Sequence, residues 1–232
     1  MKKIIILFFV IIANFSNAQV KYHFDYALLY DNEVSFDAEL KSNLFLINSK
    51  DNSYITFLSF DKDSINVSLK MIDYEGIIIQ SKIKRALFFK AETLNFDCES
   101  VFHFSNQYKY KSKEYSFQKY NDTLINDTIY FHYAIKSVKS LKYQKRKKIV
   151  STHFIVDKNS SQFSPFFYHS TIYNNWIKTL KLPNGIIKIK YDIDVDGKII
   201  FKQELKKIIK IDKYLTFPNE CRDFKSPKLF SQ

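Results

Sequence analysis

Apolar and polar side chains alternate along most of this chain, and that alternation restricts its fold more than any other feature. From Tyr22 to Tyr30, an aromatic ring or a leucine occupies every second position. Residues 65 to 71 repeat the pattern, with isoleucine, valine, leucine and methionine between polar neighbours. Successive side chains of a strand point to opposite faces of a sheet, so such a segment can bury one half of its side chains together. The pattern predicts a β-sheet protein.

Composition and spacing extend this prediction to the rest of the chain. There are 23 Phe and 16 Tyr but only 3 Gly and 4 Pro, and aromatic side chains favour the half-buried surface of a sheet. Short helices are predicted only near residues 86–95 and 170–180. We therefore expect an all-β fold, a single large antiparallel sheet with at most one or two short helices. Further strands are predicted at 44–47, 54–60, 77–83, 101–104, 108–117, 129–138, 149–156, 186–195 and 198–211.

The first eighteen residues have the composition of a secretory signal peptide. Two lysines follow Met1, residues 4–12 are all apolar, and the small residues Ser16 and Ala18 precede Gln19 at the −3 and −1 positions of a cleavage site. The apolar run is shorter than the about 20 residues that a helix needs to span a bilayer. We therefore predict export to the periplasm or cell envelope, with cleavage before Gln19 and no membrane anchor afterwards.

After removal of the predicted signal peptide at 1–18, residues 19–232 are expected to form a single antiparallel β domain that is strongly basic. The chain has 36 Lys and Arg against 24 Asp and Glu, a formal net charge of +12. This balance favours an anionic partner such as a lipid headgroup or an acidic polysaccharide, although lysines spread over solvated strands give the same balance. The densest cluster, Lys145–Lys148, is predicted to form the tip of a hairpin. Because the chain is exported, no nucleic-acid partner is expected.

The chain has two cysteines, Cys98 and Cys221. An oxidising envelope permits a disulfide between them, whereas chance usage would leave the same two residues unpaired. The sequence leaves both alternatives open.

One acidic motif resembles the start of a calcium-binding loop. Residues 192–197 read Asp-Ile-Asp-Val-Asp-Gly, which matches positions 1, 3, 5 and 6 of an EF-hand. Position 12 should be a bidentate glutamate but is Gln203, and the preceding residues have the pattern of a strand rather than a helix. The motif therefore predicts a hairpin closed by an Asp-Gly type I′ turn, with Tyr191, Ile193 and Val195 pointing inward and the aspartates outward.

No metal, cofactor or catalytic site is predicted. His23, His103 and His132 each lie between two aromatic residues, so all three would share a face and could meet on zinc or copper if their strands were adjacent. None has a second ligand at a recognisable spacing, and we expect them to lie on the solvated face. Three glycines are too few for a nucleophile elbow or a phosphate-binding loop, so we expect no enzymatic activity.

The segment from Trp176 to Ile211 resembles a known family. Trp176 is followed by Leu-Pro-Asn-Gly-Ile-Ile at 182–187, a strand, an Asp-Gly turn and a second strand. This is similar to the signature segment of the Gly-Leu-Pro-Gly-Leu-Ile (GLPGLI) family of exported proteins, with Lys181 in place of the first glycine and Asn184 inserted before the second. The resemblance implies a curved half-barrel sheet like that of periplasmic lipoprotein carriers, and a role in the envelope. It assigns no functional residue.

These observations predict a class of function. The abundance of aromatic residues favours a non-catalytic binding module that holds a hydrophobic or amphiphilic ligand on one face of a curved sheet. The alternative is a basic envelope-associated interaction protein that binds anionic lipid or polysaccharide without a small ligand. Neither hypothesis requires a cofactor.

Overall fold

The computed structural model of the chain describes residues 19–34, 37–60, 65–104 and 109–223. The predicted signal peptide at 1–18 lies outside these residues, and its cleavage stays a prediction. Among the described residues, no helix is both long and apolar enough to cross a membrane.

Thirteen strands of the described residues join into one open sheet, which confirms the predicted fold class. All neighbouring strands are antiparallel except β6, which runs parallel to β13. The strands are β1 (Gln19–Val34), β2 (Asp37–Ile47), β3 (Tyr54–Phe60), β4 (Asn66–Asp73), β5 (Ile77–Lys84), β6 (Thr93–Asn95), β7 (Val101–His103), β8 (Tyr115–Lys119), β9 (Thr123–Ile125), β10 (Thr128–Ser137), β11 (Ser151–Asp157), β12 (Ile187–Ile193) and β13 (Ile199–Pro218).

The order of the strands places the first and the last of them side by side. Along the sheet the order is β7-β5-β4-β3-β2-β1-β13-β12-β11-β10-β8, with β6 beside β13 and β9 beside β10. The pairing of β1 with β13 runs from Gln19 opposite Pro218 to Val34 opposite Phe201. It therefore joins an N-terminal and a C-terminal half of the sheet.

The described residues contain three short α-helices, one more than the sequence predicts. Two of them, α1 (Arg85–Lys90) and α3 (Ser170–Thr179), lie where helices are predicted. The third, α2 (Leu141–Lys147), replaces the predicted hairpin tip between β10 and β11: the Ser140 hydroxyl accepts a hydrogen bond from the Tyr143 amide at its start, and Lys148 ends it with a φ of 49°. Such caps are typical helix boundaries.

One predicted strand is partly wrong. Residues 108–117 alternate like a strand, yet the chain forms a 3-10 helix over Lys109–Glu114 before β8 begins. The side-chain amide of Asn175, on α3, donates hydrogen bonds to the carbonyls of Ser112 at 2.8 Å and Tyr115 at 2.7 Å. Asn175, 60 residues from Tyr115 in the sequence, thus supplies the hydrogen-bond donors that a neighbouring strand would otherwise supply.

Each face of the sheet carries its own hydrophobic core. On β2, Leu44 and Leu46 belong to the core of one face, whereas Phe45 and Ile47 belong to the core of the other. The first core packs against Phe88 of α1, and we call that side of the sheet the α1 face. The second core packs against the segment 158–186, which includes α3; we call it the α3 face and the segment the cover segment. Burial on both faces explains why β2 reads as a continuous apolar run.

Hydrogen bonds from buried aromatic residues fix the cover segment to the sheet. The Tyr74 hydroxyl, just after β4, donates to the Phe167 carbonyl of the cover segment, and the Tyr30 hydroxyl of β1 donates at 2.6 Å to the carbonyl of Ile187, the β12 residue that directly follows the segment. Within the segment, the Trp176 indole donates to the Leu182 carbonyl at 2.9 Å. Buried Tyr and Trp need such partners for their polar ends. The cover segment is therefore held in one position on the α3 face.

On the α1 face the two cysteines form a disulfide. Cys98 begins a 3-10 turn before β7, and Cys221 lies in a 3-10 turn after β13, with their Cα atoms 4.9 Å apart. Cys221 is fully buried. The bridge settles the alternative that the sequence leaves open and ties the segment that carries α1 to the C-terminal end of β13.

Candidate functional site

Beside the cover segment, the α3 face holds an open cleft of about 970 Å³. This volume lies near the upper end of the range of small-molecule sites, about 300–1,000 Å³. We call it the main cleft. Strands β2 to β5 and β7 form one wall, and β12, β13 and residues 168 and 169, just before α3, form the other. The lining residues are Asn43, Phe57, Leu58, Ser59, Ser68, Leu69, Lys70, Ile72, Gln80, Ser81, Lys82, Phe102, Tyr168, His169, Lys190, Phe201 and Gln203.

The wall formed by β2 to β5 and β7 changes from apolar to polar across three rows of paired residues. Residues paired across strands lie on the same face, so each row presents neighbouring side chains to the cleft. The first row is apolar, the second is mixed, and the third is polar. The members of each row that line the cleft are Ile72 and Phe102; then Phe57, Lys70 and Gln80; then Ser59, Ser68 and Lys82. This wall therefore suits a ligand with an apolar part and a polar part.

A chain of hydrogen bonds fixes the opposite wall. The Tyr168 hydroxyl donates to the Gln203 side-chain oxygen at 2.5 Å, and the Gln203 amide nitrogen donates to the Asn32 side-chain oxygen at 2.6 Å. Gln203 and Asn32 are buried and lie opposite each other on β13 and β1. These bonds orient the Tyr168 ring at the edge of the cover segment.

Lys190 is the unusual residue of this wall. Its side chain is only 7% exposed, and its ammonium lies 4.6 Å from the centre of the Tyr168 ring and 4.9 Å from that of Phe201. Burial lowers the pKa of Lys190, and the carboxylate of Asp192 partly opposes that shift. Asp192 itself accepts a hydrogen bond from the Thr152 hydroxyl at 2.7 Å. Among the described residues, no carboxylate forms an ion pair with Lys190.

The charged residues of the main cleft are all basic. Lys70, Lys82 and Lys190 line it together with His169, and none of its described lining residues is Asp or Glu. Walls of low dielectric concentrate such a field inside a cleft. The main cleft is therefore positive as well as amphiphilic.

Part of the basic cluster at 145–148 lines a second, smaller cleft of about 410 Å³. Lys147 and Lys148 lie on its wall with Lys111 and Asp192, and His169 lines both clefts. All four residues of the cluster are exposed, as the sequence predicts, and Lys145 pairs with Asp196 at 2.8 Å. The cluster lies on α2 and its C-terminal cap rather than at the predicted hairpin tip.

The acidic motif at 192–197 forms a hairpin between β12 and β13, as predicted. Its three aspartates have different partners: Asp192 bonds Thr152, Asp196 pairs with Lys145, and Asp194 accepts from the amides of residues 196 and 198. The predicted type I′ turn is wrong, because only Gly197 has a positive φ, 86°, and its amide bonds the Asp194 carbonyl. This is a turn of type I followed by a left-handed glycine.

The orientation predicted for this hairpin is also wrong. Lys190 and Asp192 face the clefts on the α3 face, whereas Tyr191 packs on the other side of the sheet against His132 and His153. Nothing in the local pattern distinguishes Lys190 from Lys188, whose ammonium donates to the Leu205 carbonyl at 2.8 Å. Sequence reasoning therefore missed Lys190.

The three histidines do not meet. His23 contacts Asp212 at 2.9 Å and His103 contacts the Cys221 carbonyl at 2.9 Å. His132 instead contacts His153, with their ring nitrogens 3.0 Å apart. The sequence pattern did not single out His153. In the described part of the chain, no three His, Cys, Asp or Glu residues are grouped as metal ligands.

The His132–His153 pair predicts a pH-dependent stability. Burial, the neighbouring His132 and Lys136 lower the pKa of His153 from 6.5 to about 4. The unfolded chain binds this proton near pH 6.5 and the folded chain does not, so the stabilisation is complete above pH 6.5 and is lost as the pH falls towards 4. We expect His153→Gln to reduce the loss of stability across this window by about 2 kcal/mol. Urea unfolding at several pH values measures it, and equal slopes for both proteins would contradict the prediction.

No family model matches the chain, and no curated protein matches it. The resemblance of residues 176–211 to the GLPGLI family therefore stays a hypothesis. Solved structures align with much of the chain, at low TM-scores and very low sequence identity.

Three such structures illustrate the likeness. MucB in complex with MucA(peri) aligns with a TM-score of 0.39 at 5% identity, over 81% of this chain and 50% of that chain. A putative outer membrane lipoprotein-sorting protein domain from Vibrio parahaemolyticus gives 0.30 at 12% identity, over 80% and 85%. A LolA superfamily protein from Nitrosomonas europaea gives 0.29 at 11% identity, over 82% and 86%. The chain spans half the length of the first structure, and at these TM-scores the likeness carries no argument about function.

Proposed function

We propose that this chain is an exported, non-catalytic binding module that holds a hydrophobic or amphiphilic ligand in the main cleft. The single observation that supports this most is the graded wall, in which an apolar row with Ile72 and Phe102 gives way to a row of serines and Lys82. A cleft of about 970 Å³ offers room for a ligand of that kind. The predicted signal peptide supports a location in the periplasm or cell envelope.

A second candidate is a basic interaction protein that uses its surface rather than a cleft. It is favoured by exposed cations on α2 and on β13, including Lys145, Lys147, Lys207 and Lys210. Binding of this kind would weaken steeply with salt and would not require the main cleft.

Binding of a neutral hydrophobic probe tests the proposed function. N-phenyl-1-naphthylamine fluoresces when it enters an apolar site, and we expect saturable binding to the purified protein. Ile72→Asn removes apolar surface from the first row and should weaken the probe about tenfold, because a buried isoleucine contributes about 1.5–3 kcal/mol. Ile129→Asn is the matched control, since Ile129 is 53% exposed and lies away from the cleft.

The result has clear alternatives. Loss of affinity in Ile72→Asn alone, with both variants showing the melting temperature of the parent within a few degrees, supports the proposal. Absence of saturable binding, or equal effects of the two substitutions, would contradict it. The second candidate would be favoured if the parent and Ile72→Asn were retained equally on anionic beads and if that retention fell with salt.

A further inference from the structure

Two lysines are buried in the part of the chain that the structure describes, and the ammonium of only one of them donates hydrogen bonds to the protein. Lys213 is 8% exposed, and its ammonium donates hydrogen bonds to the carbonyls of Phe88 and Ala91 at the end of α1. Lys190 is 7% exposed, and among the described residues no oxygen accepts a hydrogen bond from it. Buried lysines are rare unless they are paired, because removing an ammonium from water is unfavourable when nothing replaces the water. Compared with Lys213, the ammonium of Lys190 therefore lacks a hydrogen-bond acceptor among the described residues.

The neighbours of Lys190 cannot supply this acceptor. On the adjacent strands its paired residues are Phe154 and Gln203. Phe154 has no polar group, and the amide of Gln203 already bonds Tyr168 through its oxygen and Asn32 through its nitrogen. The rings of Tyr168 and Phe201 attract the ammonium through their faces, but they accept no conventional hydrogen bond. Asp192, two residues further along β12, attracts the ammonium electrostatically, but its carboxylate accepts a hydrogen bond from the Thr152 hydroxyl and forms no ion pair with Lys190 among the described residues. Lys190 lines the main cleft, so a ligand bound there can supply the missing partner.

We infer that the ligand of the main cleft is an amphiphile with a compact anionic head, a carboxylate or a phosphate ester, which pairs with the ammonium of Lys190. This inference rests on the proposed function and names the class of its ligand. Charge complementarity supports it, because the described lining carries three lysines and no acidic side chain. The apolar row of the opposite wall provides the surface for the chain of the amphiphile. A charge-assisted hydrogen bond in a cleft of low dielectric is strong and directional.

Competition against N-phenyl-1-naphthylamine tests the inference with ligands that differ only in the head. Decanoate and decyl phosphate carry the anionic head, decan-1-ol has the same chain without charge, and acetate and inorganic phosphate carry the charge without the chain. We expect the dissociation constants of the two anionic amphiphiles to be at least about tenfold lower than that of decan-1-ol. A hydrogen bond to a charged group contributes enough free energy for that ratio. Acetate and inorganic phosphate should compete only at far higher concentration.

Lys190→Met removes the charge and keeps the length of the side chain. We expect this variant to bind decan-1-ol at least as well as the parent and to lose its preference for the two anionic amphiphiles. Lys90→Met is the control for net charge, because Lys90 is exposed at the end of α1, on the other face of the sheet; it should keep the preference. An unchanged preference in Lys190→Met would overturn the inference and leave the proposed function standing.

A measurement on the parent protein tests the inference even if the Lys190→Met variant folds poorly. Trace acetylation followed by peptide mass spectrometry gives the reactivity of each lysine. Decanoate should slow acetylation of Lys190 selectively, and decan-1-ol at the same occupancy should not. Protection by acetate or inorganic phosphate at equal concentration would overturn the inference in favour of a simple anion site. If no amphiphile binds the parent protein, the inference fails together with the proposed function.

Discussion

Replacing Cys98 and Cys221 together by serine is expected to lower the free energy of unfolding by about 5 kcal/mol. The two residues are separated by 123 positions, and a cross-link that closes so long a loop removes much of the conformational freedom of the unfolded chain. For a chain of this length, such a change corresponds to a fall in melting temperature of roughly 10–20 °C. Neither cysteine lines the main cleft, so the loss should appear in stability before it appears in probe binding.

Urea unfolding measures this effect directly. The parent protein in oxidising buffer should unfold at a higher midpoint than the same protein with a reductant, whereas the double variant should not respond to the reductant. A difference below about 1 kcal/mol would mean that the unfolded chain stays ordered without the bridge.

Gly185→Ala is expected to destabilise the protein by about 4 kcal/mol, the sum of overpacking and backbone strain. Gly185 has a φ of 148°, and a Cβ there would lie 2.6 Å from the Val156 side chain and 2.8 Å from the Asp157 carbonyl. A backbone oxygen cannot move aside cheaply, so the cover segment must shift. Because the Gly185 amide also bonds the Phe163 carbonyl at 2.8 Å, that shift should reach the aromatic core of the α3 face.

Gly197→Ala provides the matched control for Gly185→Ala. Gly197 also has a positive φ, 86°, but no atom lies within 4 Å of the position of its Cβ. Gly197→Ala should therefore lower the free energy of unfolding only by the strain of a left-handed residue, about 1 kcal/mol. Thermal unfolding and probe affinity should both separate the two variants. Equal losses of stability would show that strain, and not contact with β11, decides the effect at Gly185.

Much of the sheet is predictable because its signal is local. The alternation within Tyr22–Tyr30 or residues 65–71 depends only on neighbours along the chain, and β1 and β4 form there. The 3-10 helix at Lys109–Glu114 carries the same alternation, but its Ser112 carbonyl accepts a hydrogen bond from Asn175, which lies in another part of the chain. Patterns of period two cannot distinguish these cases, since the deciding contact is distant in sequence.

The candidate site escapes prediction for the same reason. Lys188 and Lys190 occupy equivalent places in the sequence Ile-Lys-Ile-Lys-Tyr-Asp. They differ because Tyr168 and Phe201 cover Lys190, while a carbonyl of β13 binds Lys188. A register shift between Ile155 and Val156 on β11 also changes how β12 is paired. A lysine becomes a binding residue here through what covers it, and that information lies outside its own strand.

The position of β1 beside β13 has a consequence for how the molecule is assembled. Gln19 is paired with Pro218, and the chain is synthesised from its N-terminus. The backbone groups along one long edge of β1 therefore have no strand partner until nearly all of the described sequence has been made. An open strand edge is a template for association with other chains, and contacts between residues so far apart form slowly. Joining the two halves is therefore expected to be a late event in folding, and the interval before it is when this protein most needs protection from aggregation.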